Sequence, residues 1–170
     1  MAAGVVQAFQ NCLKENQIDP KDVIFVAHST TQATNALIEG DVAHVGVVGV
    51  GPKGVGGWLA KAQTNMKDIN LGSGRFIHLH NRFICDEKLS DQLVTDTIKS
   101  LVGEGAQVIV SSESYGVDDM ENETGICAIA KNMGLEATAA SEITKLYGLT
   151  RRTRTAAINA SILPKNAEHC

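Results

Sequence analysis

The feature that most constrains this chain is a series of short runs, each about the length of a strand and apolar on both faces. They are Val23-Ile24-Phe25-Val26-Ala27, Val45 to Val50 and Gln107 to Val110. An alternating strand can leave one face in water, but a continuous β-branched run needs cover on both, which is the situation of a parallel strand between helices. The intervening segments carry apolar residues at helical spacing: Val5 to Leu13, Thr31 to Glu39, Leu89 to Val102, Met120 to Met133 and Thr153 to Leu163. Gly40 and Gly134 stand where the second and fourth of these should stop, and Pro164 follows the last. Phe76 to Phe83 alternates apolar and polar residues and predicts a half-exposed strand, and Leu135 to Ala140 predicts a weaker one. Strands alternating with helices define an α/β chain, a layered domain with a largely parallel or mixed sheet flanked by helices.

With 170 residues the chain makes one domain or two very small ones, and the soft boundary lies near Asn70 to Arg75. Fifteen basic against nineteen acidic residues give a net charge of −4 with no long single-sign run, which excludes non-specific nucleic-acid binding. No apolar stretch approaches the ~20 residues of a spanning helix, and no secretory signal opens the chain, so no membrane is expected and the cytoplasm is the expected location. Cys12, Cys85, Cys127 and Cys170 lack CxxC or knuckle spacing; neither disulfide nor metal is expected, and Cys127 reads as a buried apolar residue.

Several motifs carry bland readings. Gly49-Val50-Gly51-Pro52-Lys53-Gly54 satisfies GxGxxG after a strand, but Asp68 does not end a second apolar strand, and Pro52 and Gly56-Gly57 disturb the helix start. The glycines from 49 to 57 read as a loop leading into a helix around Trp58. His78-x-His80 has a spacing that can hold a metal, and reads as a solvated strand face. Arg151-Arg152-Thr153-Arg154 reads as a solvated basic cap at a helix start. The richest stretch runs from Val26 to Glu39, where His28, Ser29, Thr30 and Thr31 fall at the junction of a buried strand and a helix. Backbone amides and hydroxyls there suit an anion or a polarised carbonyl, and ordinary N-capping explains them equally well.

That stretch, His28-Ser29-Thr30-Thr31-Gln32-Ala33-Thr34-Asn35-Ala36-Leu37-Ile38-Glu39, resembles the His-Gly-Thr-Thr-x-Ala-Thr-Asn-Ala-Leu-x-Glu signature of the hydantoinase/5-oxoprolinase family, hydantoinase A type. Ser141-Glu142-Ile143, Arg152-Thr153, Thr155, Ile158-Asn159-Ala160 and Leu163-Pro164 are similar to a second family block, and the segments Gly105 to Val110 and Tyr115 to Glu121 to a third region. The resemblance implies an actin-like ATPase (ribonuclease H-like) fold. It also implies an ATP-dependent opening of cyclic amide or imide rings, with a divalent cation, Mg, as cofactor, and phosphorylation of the amide oxygen as the activating step. By the match, His28, Thr30, Thr31, Thr34 and Asn35 are candidates for the substrate or phosphate side, followed by Glu121, Arg152 and Asn159. The catalytic residue itself stays unassigned.

Departures from the pattern shape the remaining expectations. Ser29 replaces a glycine, Val117-Asp118-Asp119-Met120 replaces an Asn-Pro-x-His segment, and Thr144 to Gly148 lacks the usual Pro-Glu-Ile-Arg. The family's Asp-x-Gly-Gly-Thr phosphate loop has no counterpart, so it is expected upstream of Met1 and residues 1–170 are expected to be an internal fragment, inactive and free of cofactor on its own. The expected partners are a small cyclic amide and the remainder of the parent chain or a companion subunit, with homo-oligomerisation compatible. The alternatives are a non-catalytic actin-like activator or assembly module, an acetone carboxylase-type subunit, and a Rossmann-like nucleotide binder using the Gly49 loop.

Overall fold

The computed structural model describes residues 2–23 and 32–163. In chain order these form α1 (Ala2–Glu15), α2 (Gln32–Glu39), β1 (Val45–Gly51), α3 (Val55–Thr64), β2 (Ile69–Gly72), β3 (Arg75–Ile77), β4 (Leu79–Cys85), α4 (Asp91–Gly103), β5 (Val108–Glu113), α5 (Glu121–Asn132), β6 (Glu136–Ala139), α6 (Ala140–Ile143) and α7 (Leu149–Ser161). The expected strand from Val23 to Ala27 falls almost wholly outside the described residues.

Four strands make one parallel sheet in the order β4-β1-β5-β6, with Val45 opposite both Leu79 and Val108. β1 is buried along its whole length, as a run apolar on both faces requires. Val48, Val50 and Ile109 pack with Val94, Ile98 and Leu101 of α4 and Ile126, Cys127 and Ala130 of α5. Val45, Val47, Val108 and Val110 pack on the other face with Ala156, Ala157 and Ala160 of α7 and with Ile69 and Ile77. The fold class expected from the sequence, a layered α/β domain with a parallel sheet between helices, is the one observed. Cys127 is indeed a core residue, its thiol pushed up to about 12, chiefly by burial.

Four local expectations are corrected. Gly49 and Gly51 are strand residues rather than loop residues. A Cβ on Gly49 would overlap the Thr64 hydroxyl and one on Gly51 would stand 2.8 Å from the Ala60 methyl, so these glycines let α3 lie close against the sheet. The alternating run from Phe76 to Phe83 is broken at His78: β3 pairs antiparallel with β2, while β4 joins the parallel sheet. β2, too short and mixed to announce itself, places the β2–β3 hairpin over residues 70–75. β5 continues three residues beyond Val110: Ser111, Ser112 and Glu113 stay buried and paired with β1, and Ser112 and Glu113 find further partners inside the protein. Finally, α7 begins at Leu149, four residues early, which puts Arg152 inside a helix.

Candidate functional site

Starting from β1, the chain moves outward to β4 and then back across to β5 and β6 on the other side. The order therefore reverses between β1 and β5, and in open α/β sheets ligands collect at the carboxyl ends of the strands at such a switch point. Gly51 and Glu113 end those two strands. Pro52-Lys53-Gly54 turns tightly into α3; a Cβ on Gly57 would overlap the Pro52 carbonyl oxygen, so the first turn of α3 closes only over a glycine. Lys53 pairs with Glu87 above this edge, both well exposed.

Beneath the edge lies a buried polar cluster built from three helices onto the end of β5. Glu123, fully buried on α5, accepts the Glu113 N–H at one carboxylate oxygen and the Ser141 N–H at the other, each at 2.8 Å. One carboxylate thus ties the end of β5 to the start of α6. Gly116 leaves it room, since a Cβ there would stand 2.6 Å from Glu123 Oε1. Arg152, 1% exposed on α7, donates from Nη1 to the Leu146 carbonyl at 2.9 Å and from Nη2 to the Glu113 carbonyl, while its Nε has no partner. Burial lowers its pKa, against the opposing pull of Glu123 and Glu113. Ser112 Oγ and Thr153 Oγ1 lie 2.7 Å apart, and Thr153 also donates to the Leu149 carbonyl.

The Glu113 side chain accepts from Asn122 Nδ2 at 2.8 Å. Burial raises its pKa above the usual carboxylate value; the Asn122 bond opposes the shift, and Glu123, Asp86 and Asp119 add to it. The loop above turns through Tyr115, a non-glycine residue at φ +64°, and Tyr147 Oη donates to Asp118 Oδ1 at 2.8 Å. Chemically, this edge offers a carboxyl group able to carry a proton at higher pH than usual, over a rigid cationic base.

The sequence-predicted residues divide between places. His28, Thr30 and Thr31 lie outside the described residues. Thr34 is exposed and Asn35 half-buried on α2, which runs through Gly40 to His44 into the amino edge of the sheet. Asn159 is exposed in the last turn of α7, close to where Ser161 accepts from Ala43 N–H at that same edge. Glu121 is exposed at the start of α5, at the carboxyl edge, and its N–H donates to Asp119 Oδ1. Arg152 is at the centre of the polar cluster, not in the solvated cap the basic run suggested. Glu113 and Glu123 were missed; the available signal was the polar block Ser111-Ser112-Glu113-Ser114 directly after an apolar strand.

Among the described residues no three His, Cys, Asp or Glu side chains are grouped to hold a metal ion. Gly49 and Gly51 of the GxGxxG run face α3 from within β1, while Gly54 caps that helix at φ +77° with open space beside it.

A parallel three-layer α/β domain with its polar cluster at a switch point is the class that fold and site define. The profile of the hydantoinase/oxoprolinase N-terminal region matches residues 1–134, and the chain belongs to that family. No curated protein matches the chain in sequence. Among solved structures it is similar to the ATP-dependent caprolactamase from Pseudomonas jessenii, with 17% identity and a TM-score of 0.63 over 97% of this chain and 27% of that one. It is also similar to nucleotide-free acetone carboxylase, with 16% identity and a TM-score of 0.53 over 82% of this chain and 23% of that one. The chain therefore spans about a quarter of the length of these neighbours.

Proposed function

We propose that the chain is part of an ATP-dependent hydrolase that opens cyclic amide or imide rings of the hydantoin or 5-oxoproline type. The family match over residues 1–134 carries this reading. Similarity to a caprolactamase, whose substrate is a cyclic amide, supports the ring class, and both structural neighbours are described as ATP-dependent. ATP and Mg are the cofactors of the full-length parent, and residues 1–170 alone bind neither. In this reading His28, Thr30, Thr31, Thr34 and Asn35 face the substrate or phosphates, Glu113 holds or releases a proton at the carboxyl edge, and Arg152 keeps β5 and α7 in place beneath it. Glu121 and Asn159 stay as further site candidates. We place the protein in the cytoplasm and allow for a homo-oligomer; no helix among the described residues is long and apolar enough to cross a membrane.

The test is an assay of the full-length parent with ATP and hydantoin, 5-oxoproline or caprolactam, with acetone carboxylation as the control. Ring opening coupled to ADP release is expected from the parent, and none from residues 1–170 alone. Steady ATPase turnover by the 170-residue chain would overturn that expectation. A second reading, a non-catalytic activator or an acetone carboxylase-type subunit, is favoured by one observation: Asp118, in the segment that departs from the family pattern, is engaged by Tyr147. A parent that binds ATP yet opens no ring would select it.

A further inference from the structure

We propose that the amino edge of the sheet carries a two-imidazole site for a divalent transition-metal cation, with His44 Nδ1 and His80 Nε2 as its protein ligands. The site lies at the opposite end of the strands from Glu113 and does not depend on the reading of that edge. His44 occupies the segment entering β1, where its N–H donates to Gln107 Oε1 at 3.0 Å and its carbonyl accepts from Gln107 N–H at 2.8 Å. His80 lies on β4 opposite Gly46. The two rings are 6.0 Å apart at an interplanar angle of 32°. His44 Nδ1 and His80 Nε2 both border the space beside Gly105, 3.7 and 3.8 Å from the point a Cβ there would occupy.

His80 Nε2 supplies an independent reason to expect a ligand. It is enclosed and has no hydrogen-bond partner, a costly state for a buried ring nitrogen. The other nitrogen of the same ring faces Glu104 Oε2 at 3.9 Å. At that distance Glu104 is a polar neighbour rather than a hydrogen-bond partner, and its other carboxylate oxygen is taken by Arg82. Imidazole nitrogen selects zinc, copper or nickel over magnesium or calcium, which take oxygen ligands. The protein supplies these two ligands and water completes the sphere; among the described residues no group of three ligating side chains is present. The bound ion clips the segment entering the central strand to β4.

A third ring provides the control. His78 lies 4.8 Å from His44, but its Nδ1 is bonded to Asp68 Oδ2 at 2.7 Å and it stands outside the hollow at Gly105. The experiment is calorimetric titration of the chelator-stripped chain with ZnCl2, using H44Q, H80Q and H78Q, with MgCl2 as the hard-cation comparison. One zinc per chain is expected, with affinity weakened about 10-fold or more in H44Q and H80Q, little changed in H78Q, and no magnesium heat. Unchanged affinity in H44Q and H80Q, equal loss in H78Q, or no zinc heat would overturn the proposal. Imidazole 15N shifts of the unsubstituted chain give a reading that survives a misfolded variant: zinc should move His80 Nε2 and His44 Nδ1, and movement confined to other rings would also overturn it.

Discussion

The two ends of the parallel sheet differ in the polar groups they bury. At the carboxyl edge, Glu123 and Arg152 are buried and bonded mainly to backbone: the carboxylate takes the N–H groups of Glu113 and Ser141, and the guanidinium donates to the carbonyls of Leu146 and Glu113. Toward the amino edge, polar side chains pair with each other in partial contact with water, as in Asp68 with His78 and Arg82 with Glu104. A buried charge bonded to backbone fixes where strands and loops end, whereas an exposed pair adds little to stability. The carboxyl edge is therefore built for positional precision.

That contrast is tested most severely by Arg152→Ala. The substitution leaves two buried carbonyls without donors and opens a hole under α7, so it should cost about 4 kcal/mol in urea unfolding. A loss below about 1 kcal/mol would mean that water replaces the guanidinium and that this edge is wetter than its burial indicates. Glu123→Gln comes next, at about 2 kcal/mol, because an amide oxygen can accept only one of the two N–H donors while its NH2 group meets the other. Backbone amide exchange should accelerate at Ser141 or Glu113 in this variant, and not across β4.

The third effect is one of pH. Burial raises the pKa of Glu113 in the folded chain, so the folded state holds that proton more tightly than the unfolded state does. The unfavourable contribution is absent below the unfolded value of about 4.5 and grows as pH rises from there through the folded value. Glu113→Gln should remove this part of the slope when unfolding free energies are compared between pH 4.5 and 7. Parallel profiles for the two proteins would show that Glu113 ionises freely and has no special proton affinity to offer at the edge.

Much of the scaffold was legible because each strand needing cover on both faces announces itself locally. Val45 to Val50 forms β1 and Leu89 to Val102 forms most of α4, as their periodicities require. What escaped depends on partners distant in sequence. Ser112 and Glu113 look like the residues after a strand until Thr153, Glu123 and Arg152 arrive from two later helices to satisfy them. Arg152 sits among three arginines that look alike in sequence; only its place on the inward face of α7 separates it from exposed Arg151 and Arg154. His78 and His80 share a spacing but not a strand, because the register of a hairpin is set by β2, which carries too few apolar residues to be seen.

The smallest effect belongs to Arg82→Ala. Arg82 bonds to Glu104, to Ser100 Oγ at 3.2 Å and to the Asn81 carbonyl at 2.9 Å, with 40% of its own side chain and 38% of that of Glu104 exposed. Solvent screens such a pair and its long side chains lose rotamer freedom, so the expected cost is about 0.5 kcal/mol. Its dependence on salt sharpens the prediction: the difference between Arg82→Ala and the unsubstituted chain should shrink at about 1 M salt, where the screening length falls to about 3 Å, while the cost of Arg152→Ala should persist because its bonds are buried and run to neutral carbonyls. Equal salt sensitivity at both positions would erase the distinction between the two edges, since it would require the Arg152 guanidinium to be as accessible to ions as that of Arg82.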